Sequence, residues 1–558
     1  MTSKSRNKIN SINILRFRKL INISFMIANR ITVIAGHNGI GKSTILGLIA
    51  NGSELKGHKS YFEKIFQSQF QEIFHLDLKS DYITEKDKKY SVLLNYNYED
   101  KKINKKCTIS KHNDARLKIV PRNANEDGNI TNENILNVGA SGKVPIPTIY
   151  IGMSRVIPIG ESDRKLYSLT SSSNVHEEDI KYLNDTYRLI IGNESLGEER
   201  VSKQKLRHST KSSIGPDFKD YPYQSVSLGQ DSLSSILTSL ISFRKLKREL
   251  RENYKGGILL IDELDACLHP SAQEKLINVL DQASKSLNLQ IICTSHSLTV
   301  IKEVMGKKIT SSQNPADGNL YYNVVYIQNT ISPTIMNQPT YKKIKNDMFL
   351  RFSNFQDNKQ EIKIYLEDNE AEYFFNTILD NAHEKIDRDD LRLTPISTNI
   401  NCDTLLKLPL KDSYFKGVII VPDGDVKSKY SYSSIIDNHD NICALPCKES
   451  PERIIHLYLE QLVNEPDHSF WTNNQEILHT QLVRDNLLKN IEDRLNGSND
   501  KKIREHYKNW FNEFKTIFEK TEIVKYWMND NPDDLEEFIY QFNISLNHLR
   551  KFYLVHDI

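Results

Sequence analysis

ITVIAGHNGIGKSTILGLIA, residues 31–50, runs from an apolar strand through a glycine-rich turn into an apolar helix. The turn, Gly36-His37-Asn38-Gly39-Ile40-Gly41-Lys42-Ser43, has the spacing of a phosphate-binding loop. Glycines let the backbone bend so that successive N–H groups face phosphate oxygens. The helix opening at Lys42 adds its positive end. Gly36, Asn38, Gly39, Gly41, Lys42, Ser43 and Thr44 are therefore the expected ATP contacts. Lys42 would reach the β and γ phosphates, and the Ser43 hydroxyl would complete a Mg²⁺ shell. Upstream, INILRF predicts one further strand.

Working outward, three separated elements suit the same site. Ile258-Leu259-Leu260-Ile261-Asp262-Glu263 is a buried parallel strand with two acids at its tip. Asp262 would face the metal, and Glu263 would polarise the attacking water. Val226-Ser227-Leu228-Gly229-Gln230 precedes a helix expected from Leu228 to Glu252, and Ser227 would also suit an ordinary helix N-cap. His296 ends QIICTSHS, where it is either a γ-phosphate sensor or a plain surface histidine.

In this order the four elements resemble the nucleotide site of ABC-type ATPases. The resemblance implies that Ser227, Gly229 and Gln230 form the signature, which meets the γ-phosphate held by a second subunit, with Val226 where Leu is usual. His296 takes the place of the switch histidine, and Asp265-Ala266-Cys267-Leu268-His269-Pro270 that of the D-loop. Gln69 or Gln71 would supply the remaining glutamine contact. Hydrolysis then requires two heads to meet, so a homodimer is implied.

Downstream the composition shifts near residues 335–360. Ile364-Tyr365-Leu366-Glu367 is a short strand ending in an acid. Some 55 residues on, roughly a third of a typical domain, Gly417–Val421 is a buried strand that runs into Pro422-Asp423-Gly424-Asp425. Residues leaving the C-terminal ends of neighbouring parallel strands converge in one crevice. Three carboxylates there, with only Lys427 as a nearby base, would repel one another unless Mg²⁺ or Mn²⁺ bound them. Such ions activate water for attack on a phosphodiester.

The strand-end Glu followed by Asp-x-Asp resembles the TOPRIM domain. Behind an ABC head it resembles the OLD (overcoming lysogenization defect) nucleases, which include the Gabija effector and retron ATPase–TOPRIM effectors. The resemblance implies metal ligation by Glu367, Asp423 and Asp425, and a third acid from Glu449 or Glu452. Two positions depart from that pattern: Asp368 stands where Gly is usual, and Ala371 where a second acid is common. The implied partners are DNA, a second copy of the chain, and a companion defence protein or a retron reverse transcriptase–nucleic acid complex.

The expected fold class is α/β: an ABC-type P-loop ATPase head over residues 1–345 with an inserted helical lobe, a TOPRIM-like α/β domain over 346–460, and a helical C-terminus over 461–558. The lobe, residues 165–222, is expected to serve dimerisation. The net charge of +2 excludes no partner, because a local basic face such as Lys101–Lys106 or Lys342–Lys345 is hidden in a near-neutral total. No stretch approaches the ~18 apolar residues of a membrane span, and Arg16, Arg18 and Lys19 interrupt any leader-like run, so a cytoplasmic protein is expected. Six scattered cysteines, with Cys267 and Cys293 in apolar runs, predict reduced packing thiols. Two functions compete: an ATP-governed, metal-dependent DNA endonuclease of antiphage defence, or a dimeric ATPase clamp or sensor without nuclease activity.

Overall fold

The computed structural model describes residues 7–82, 89–111, 116–136, 138–158, 165, 167–171, 174–192, 196–206, 210–221, 225–311, 320–351, 359–388, 390–428, 435, 439–495 and 500–556. The chain divides into two compact units, Met1–Phe352 and Ser353–Ile558.

The first unit opens with β1 (Lys8–Phe17), β2 (Leu20–Met26), β3 (Ile31–Gly36) and α1 (Lys42–Ala50). Then come β4 (Glu54–Lys59), β5 (Ile65–Gln67), α2 (Phe70–Ile73), β6 (Ser91–Tyr98), β7 (Lys101–Lys111), β8 (Leu117–Ala124) and β9 (Thr148–Ile151). The middle holds β10 (Tyr167–Ser171), α3 (Glu177–Ile191), β11 (Leu196–Leu206), β12 (Ser212–Phe218) and α4 (Leu228–Leu250). It closes with β13 (Gly257–Ile261), α5 (Pro270–Ser286), β14 (Leu289–Ser295), α6 (Leu298–Thr310), β15 (Tyr322–Gln328), β16 (Thr334–Ile335) and α7 (Tyr341–Met348).

Two sheets enclose α1. One is a six-stranded sheet ordered β16-β15-β3-β14-β13-β9, parallel except at β16. The other is an antiparallel sheet ordered β2-β1-β6-β7-β8. Residues of both join one core with Ile45, Leu46, Leu48, Ile49 and Ala50 of α1. A helix apolar on every side belongs between layers. The P-loop strand β3 is thereby fixed at the centre, and β14 separates it from the acidic strand β13.

The inserted segment corrects the expected helical lobe. Among its described residues, α3 is accompanied by a three-stranded antiparallel sheet, β10-β11-β12. On β11 the inward positions include Ser202 and Gln204, which are buried and bonded to Asp217 and Ser213 respectively. With polar residues facing inward, the apolar alternation that marks a strand is absent from the sequence.

The second unit begins with β17 (Gln360–Leu366), α8 (Asn369–Asn381), β18 (Leu391–Ser397), α9 (Cys402–Lys411) and β19 (Ile419–Val421). It ends in the helices α10 (Pro451–Asn464), α11 (Asp500–Lys520), α12 (Ile523–Asp530) and α13 (Pro532–His556). The sheet order is β18-β17-β19, all parallel. The aromatic C-terminal helices bury Trp510, Phe511, Phe518, Trp527 and Phe538 in the same core as Ile364, Leu366 and Ile419. They complete the α/β unit rather than trailing from it.

The six cysteines are free thiols. Cys267 is exposed, contrary to its apolar sequence context. It sits in the left-handed region (φ 63°) of the loop after Glu263, which turns it outward. Among the described residues, no helix is long and apolar enough to cross a membrane.

Candidate active sites

The P-loop adopts backbone that only glycine adopts easily: φ is 145° at Gly36, 70° at Gly39 and 106° at Gly41. A Cβ at Gly36 would lie 2.2 Å from the Ile327 carbonyl oxygen of β15. Asn38 and Gly39 are exposed at the loop tip, and Thr44 is half-buried beside it. Lys42 donates to the carbonyls of Gly36 (2.9 Å) and His37 (3.0 Å), so its ammonium is held inside the loop. Burial pulls its pKa down to about 8, against the opposing pull of Glu263 and Asp262.

The acids stand opposite. Ser43 Oγ donates to Asp262 Oδ1 at 3.0 Å, which brings the two expected magnesium ligands together across β3 and β13. Glu263, half-buried, follows at φ 46°. Sequence reasoning missed three residues that set this pair. Thr294, on the intervening β14, donates to Asp262 Oδ1 (2.6 Å) and accepts from the Glu263 backbone N–H (2.7 Å). The Tyr150 hydroxyl donates to Asp262 Oδ2 at 3.3 Å. Arg155 is buried and donates to the carbonyls of Asp262 (2.7 Å) and Glu263 (2.5 Å). No local motif marks these residues; only the strand order brings them in.

The signature residues and the histidine also have local roles. Ser227 Oγ accepts from Gln230 N–H at 3.3 Å, and Gln230 Oε1 accepts from Ser227 N–H at 2.7 Å, a reciprocal cap that starts α4. Gly229 lets α4 approach the loop after Glu263: a Cβ there would lie 2.4 Å from the Cys267 carbonyl oxygen. His296 N–H donates to Asp265 Oδ1 at 3.2 Å. Burial, then the nearby Lys42 charge, lowers the pKa of its ring. Gln69 is half-buried and precedes α2, while the side chain of Gln71 lies outside the described ones.

The two basic runs differ from a free cationic face. Lys101–Lys106 forms part of β7, where Lys105 is fully buried against Asn123 and Lys106 donates to the Gly128 carbonyl. Lys342–Lys345 lies on α7, with Lys343 bonded to the Gln338 carbonyl and Lys345 over the Tyr341 ring.

In the second unit, Glu367 leaves β17 and Asp423 leaves β19, neighbouring parallel strands. Both are buried, and one oxygen from each of Glu367, Asp368 and Asp423 lies within 4.8 Å of the others. Asp368, the departure from the family pattern, caps α8 by accepting from Ala371 N–H at 3.0 Å, and its other oxygen takes Lys508. Ala371, where a second acid is common, is packed in the core. Gly424 spaces Asp423 from Asp425, and a Cβ on it would strike three carbonyls at 2.6–2.9 Å. Asp425 is half-buried and close enough to act on the charge of Arg504 and Glu367.

Of the two open alternatives for the third acid, Glu449 turns away to Arg453 at 3.3 Å. Glu452, in the first turn of α10, is fully buried, and neither of its oxygens has a hydrogen-bond partner. Burial, with the charge of Asp368 adding to it, pushes its carboxyl up to about 7. Burial and then the Glu367 charge raise Asp423 well above the usual carboxylate range. Burial likewise raises Glu367, opposed by Arg504. The expectation that Lys427 is the only base nearby is corrected. Arg504 donates to Glu367 (2.8 Å) and Asp423 (3.1 Å), while Lys508 pairs with Asp368.

The donors suit a hard divalent cation. All are oxygens, and Glu367 Oε2 and Asp423 Oδ1 are buried without a partner. Such orphaned acceptors cost free energy unless something binds them.

Residues 31–302 match the family model described as AAA domain, putative AbiEii toxin, Type IV TA system, so the chain carries an AAA-family P-loop ATPase domain. Over 356 residues the chain is 22% identical to Endonuclease GajA of Bacillus cereus (strain HuB5-5), a match covering 58% of this chain and 50% of that protein. The chain thus spans about half the length of the curated relative it matches. Solved structures that it resembles include an SMC head domain from Thermotoga maritima (14% identity, 60% of this chain, 100% of that one, TM-score 0.31). Another is the recombination mediator protein RecF (12% identity, 60% of this chain, 100% of that one, TM-score 0.29).

Proposed function

We propose that the chain is an ATP-regulated, divalent-metal-dependent endonuclease that cleaves phosphodiester bonds in DNA as an effector of antiphage defence. The observation that carries this reading is the set of buried carboxylates, Glu367, Asp368 and Asp423, which issue from neighbouring strand tips, with one unpartnered oxygen on each of Glu367 and Asp423. Glu367, Asp368, Asp423, Asp425 and Glu452 would hold Mg²⁺ or Mn²⁺. The ion supplies an activated water and charge neutralisation at the leaving oxygen. Arg504 and Lys508 stand on the same rim with charges suited to a phosphodiester. The relative named an endonuclease lends support to the reaction class.

ATP binds the first unit through Lys42, Ser43 and the loop amides, with Asp262 for magnesium and Glu263 for water. We further infer a homodimer, in which the exposed Ser227 and the half-buried Gly229 of one copy face the γ-phosphate on the other. A companion defence protein or a retron reverse transcriptase–nucleic acid complex would act as the trigger.

The test is cleavage of plasmid DNA by the purified chain with Mg²⁺ or Mn²⁺, read beside ATP hydrolysis. Asp423→Ala is expected to abolish cutting and spare hydrolysis. Cutting at the parental rate in that variant would replace this reading with an ATPase clamp or sensor that binds nucleic acid or a partner protein.

A further inference from the structure

We propose that Arg504 is a positioning residue for the metal site: it holds one oxygen each of Glu367 and Asp423 so that their other oxygens face the cation. This inference rests on the nuclease reading above. Arg504 Nη2 donates to Glu367 Oε1 at 2.8 Å and to Asp423 Oδ2 at 3.1 Å. The complementary oxygens, Glu367 Oε2 and Asp423 Oδ1, are buried and accept no hydrogen bond. A single nitrogen therefore ties the tips of two neighbouring strands and divides each carboxylate into a tethered oxygen and an available one.

The support comes from one face of α11. Arg504, Lys508 and Asn512 are spaced four residues apart, so they project in a row. Lys508 donates to Asp368, and Asn512 donates to Glu370 at 2.5 Å. The side chain of Arg504 is 40% exposed, whereas those of Glu367 and Asp423 are 5% and 0% exposed. The guanidinium closes the cluster on its solvent side while the acids stay dry. It also keeps its proton at any accessible pH, so the tether does not titrate away.

Two physical effects of opposite sign act at this residue. A fixed positive charge beside a divalent ion weakens the binding of that ion by repulsion. Against that, partners that orient metal-ligating groups typically contribute about 10–100-fold in metal affinity. Two buried carboxylates without a tether would repel one another, turn apart or take up a proton. With both available oxygens already buried and orphaned, orientation is expected to outweigh repulsion here.

The experiment is Mn²⁺ binding to the full chain without nucleotide, followed by electron paramagnetic resonance and calorimetry. Arg504→Gln is expected to weaken binding about 10–100-fold. Arg504→Lys, which keeps the charge but not the reach, is expected to recover part of the loss. Affinity equal to or above the parent's in Arg504→Gln overturns the inference. If that variant does not fold, Arg504→Lys decides by the same criterion. Asp423→Asn separates the two layers of the proposal. If it binds Mn²⁺ as the parent does, the acid cluster is not a metal site and the nuclease reading falls. If it loses Mn²⁺ while Arg504→Gln does not, only the positioning role falls.

Discussion

His37 Nε2–H donates to Asp347 Oδ2 across 2.9 Å, tying the second residue of the P-loop to α7, more than 300 positions later in the chain. The Tyr326 hydroxyl donates to the same oxygen at 2.7 Å. Asp347 thus joins the phosphate loop, the neighbouring strand β15 and the last helix of the first unit.

Asp347→Ala removes the acceptor from both donors. An unpaired buried hydroxyl costs about 1–3 kcal/mol, and His37 loses its anchor. The melting temperature is expected to fall and ATP-analogue affinity to weaken, with Asp347→Asn in between. Unchanged melting and affinity would mean that the contact contributes nothing.

Gly229→Ala tests how closely α4 meets the loop after Glu263. The added methyl would sit 2.4 Å from a backbone oxygen, so helix or loop must shift. Overpacking of this kind costs about 1–3 kcal/mol. Reduced stability together with slowed ATP hydrolysis is expected from melting curves and phosphate release.

Thr294→Val keeps the shape of β14 but removes the bonds to Asp262 and to the Glu263 N–H. Hydrolysis is expected to drop while nucleotide binding persists, as in Glu263→Gln. Lys42→Ala, by contrast, is expected to lose binding itself. Equal loss of binding in all three would contradict the division of roles.

Glu452 gives a pH signature in the presence of a chelator. Its folded-state pKa, about 7, lies above that of the unfolded chain. The folded protein therefore holds this proton more tightly. The resulting stability is complete below the ordinary carboxyl range and is lost as pH rises through 7, a swing on the order of 3 kcal/mol. Glu452→Gln cannot ionise and should melt higher than the parent at pH 8 but not at pH 4. An equal gain at both values would assign the effect to packing instead.

Much of the first site was legible because its chemistry is local. The P-loop, the strand ending at Asp262 and Glu263, and the start of α4 each carry their pattern within a few consecutive residues. Cys267 and the strands around Gln204 were misjudged for one reason: inward and outward directions there follow from a loop turn and a buried polar network, which composition does not record. In the second unit, Glu367 and Asp423 stood out as acids ending apolar strands. Asp368 read as a departure, yet it lies within the cluster.

Around the nucleotide site and at the acid-tipped strands, the sequence by itself determined which segments are strand, phosphate loop and helix, since glycine spacing and apolar runs act over a few bonds. Tertiary structure alone decided what surrounds the acids. Thr294 reaches Asp262 only because β14 lies between β3 and β13. Arg504 reaches Glu367 only because α11 folds back onto the tip of β17, which precedes it by more than 100 residues. Hydrogen bonds and ion pairs depend on position in space, and position at that sequence distance is fixed by packing of the whole core.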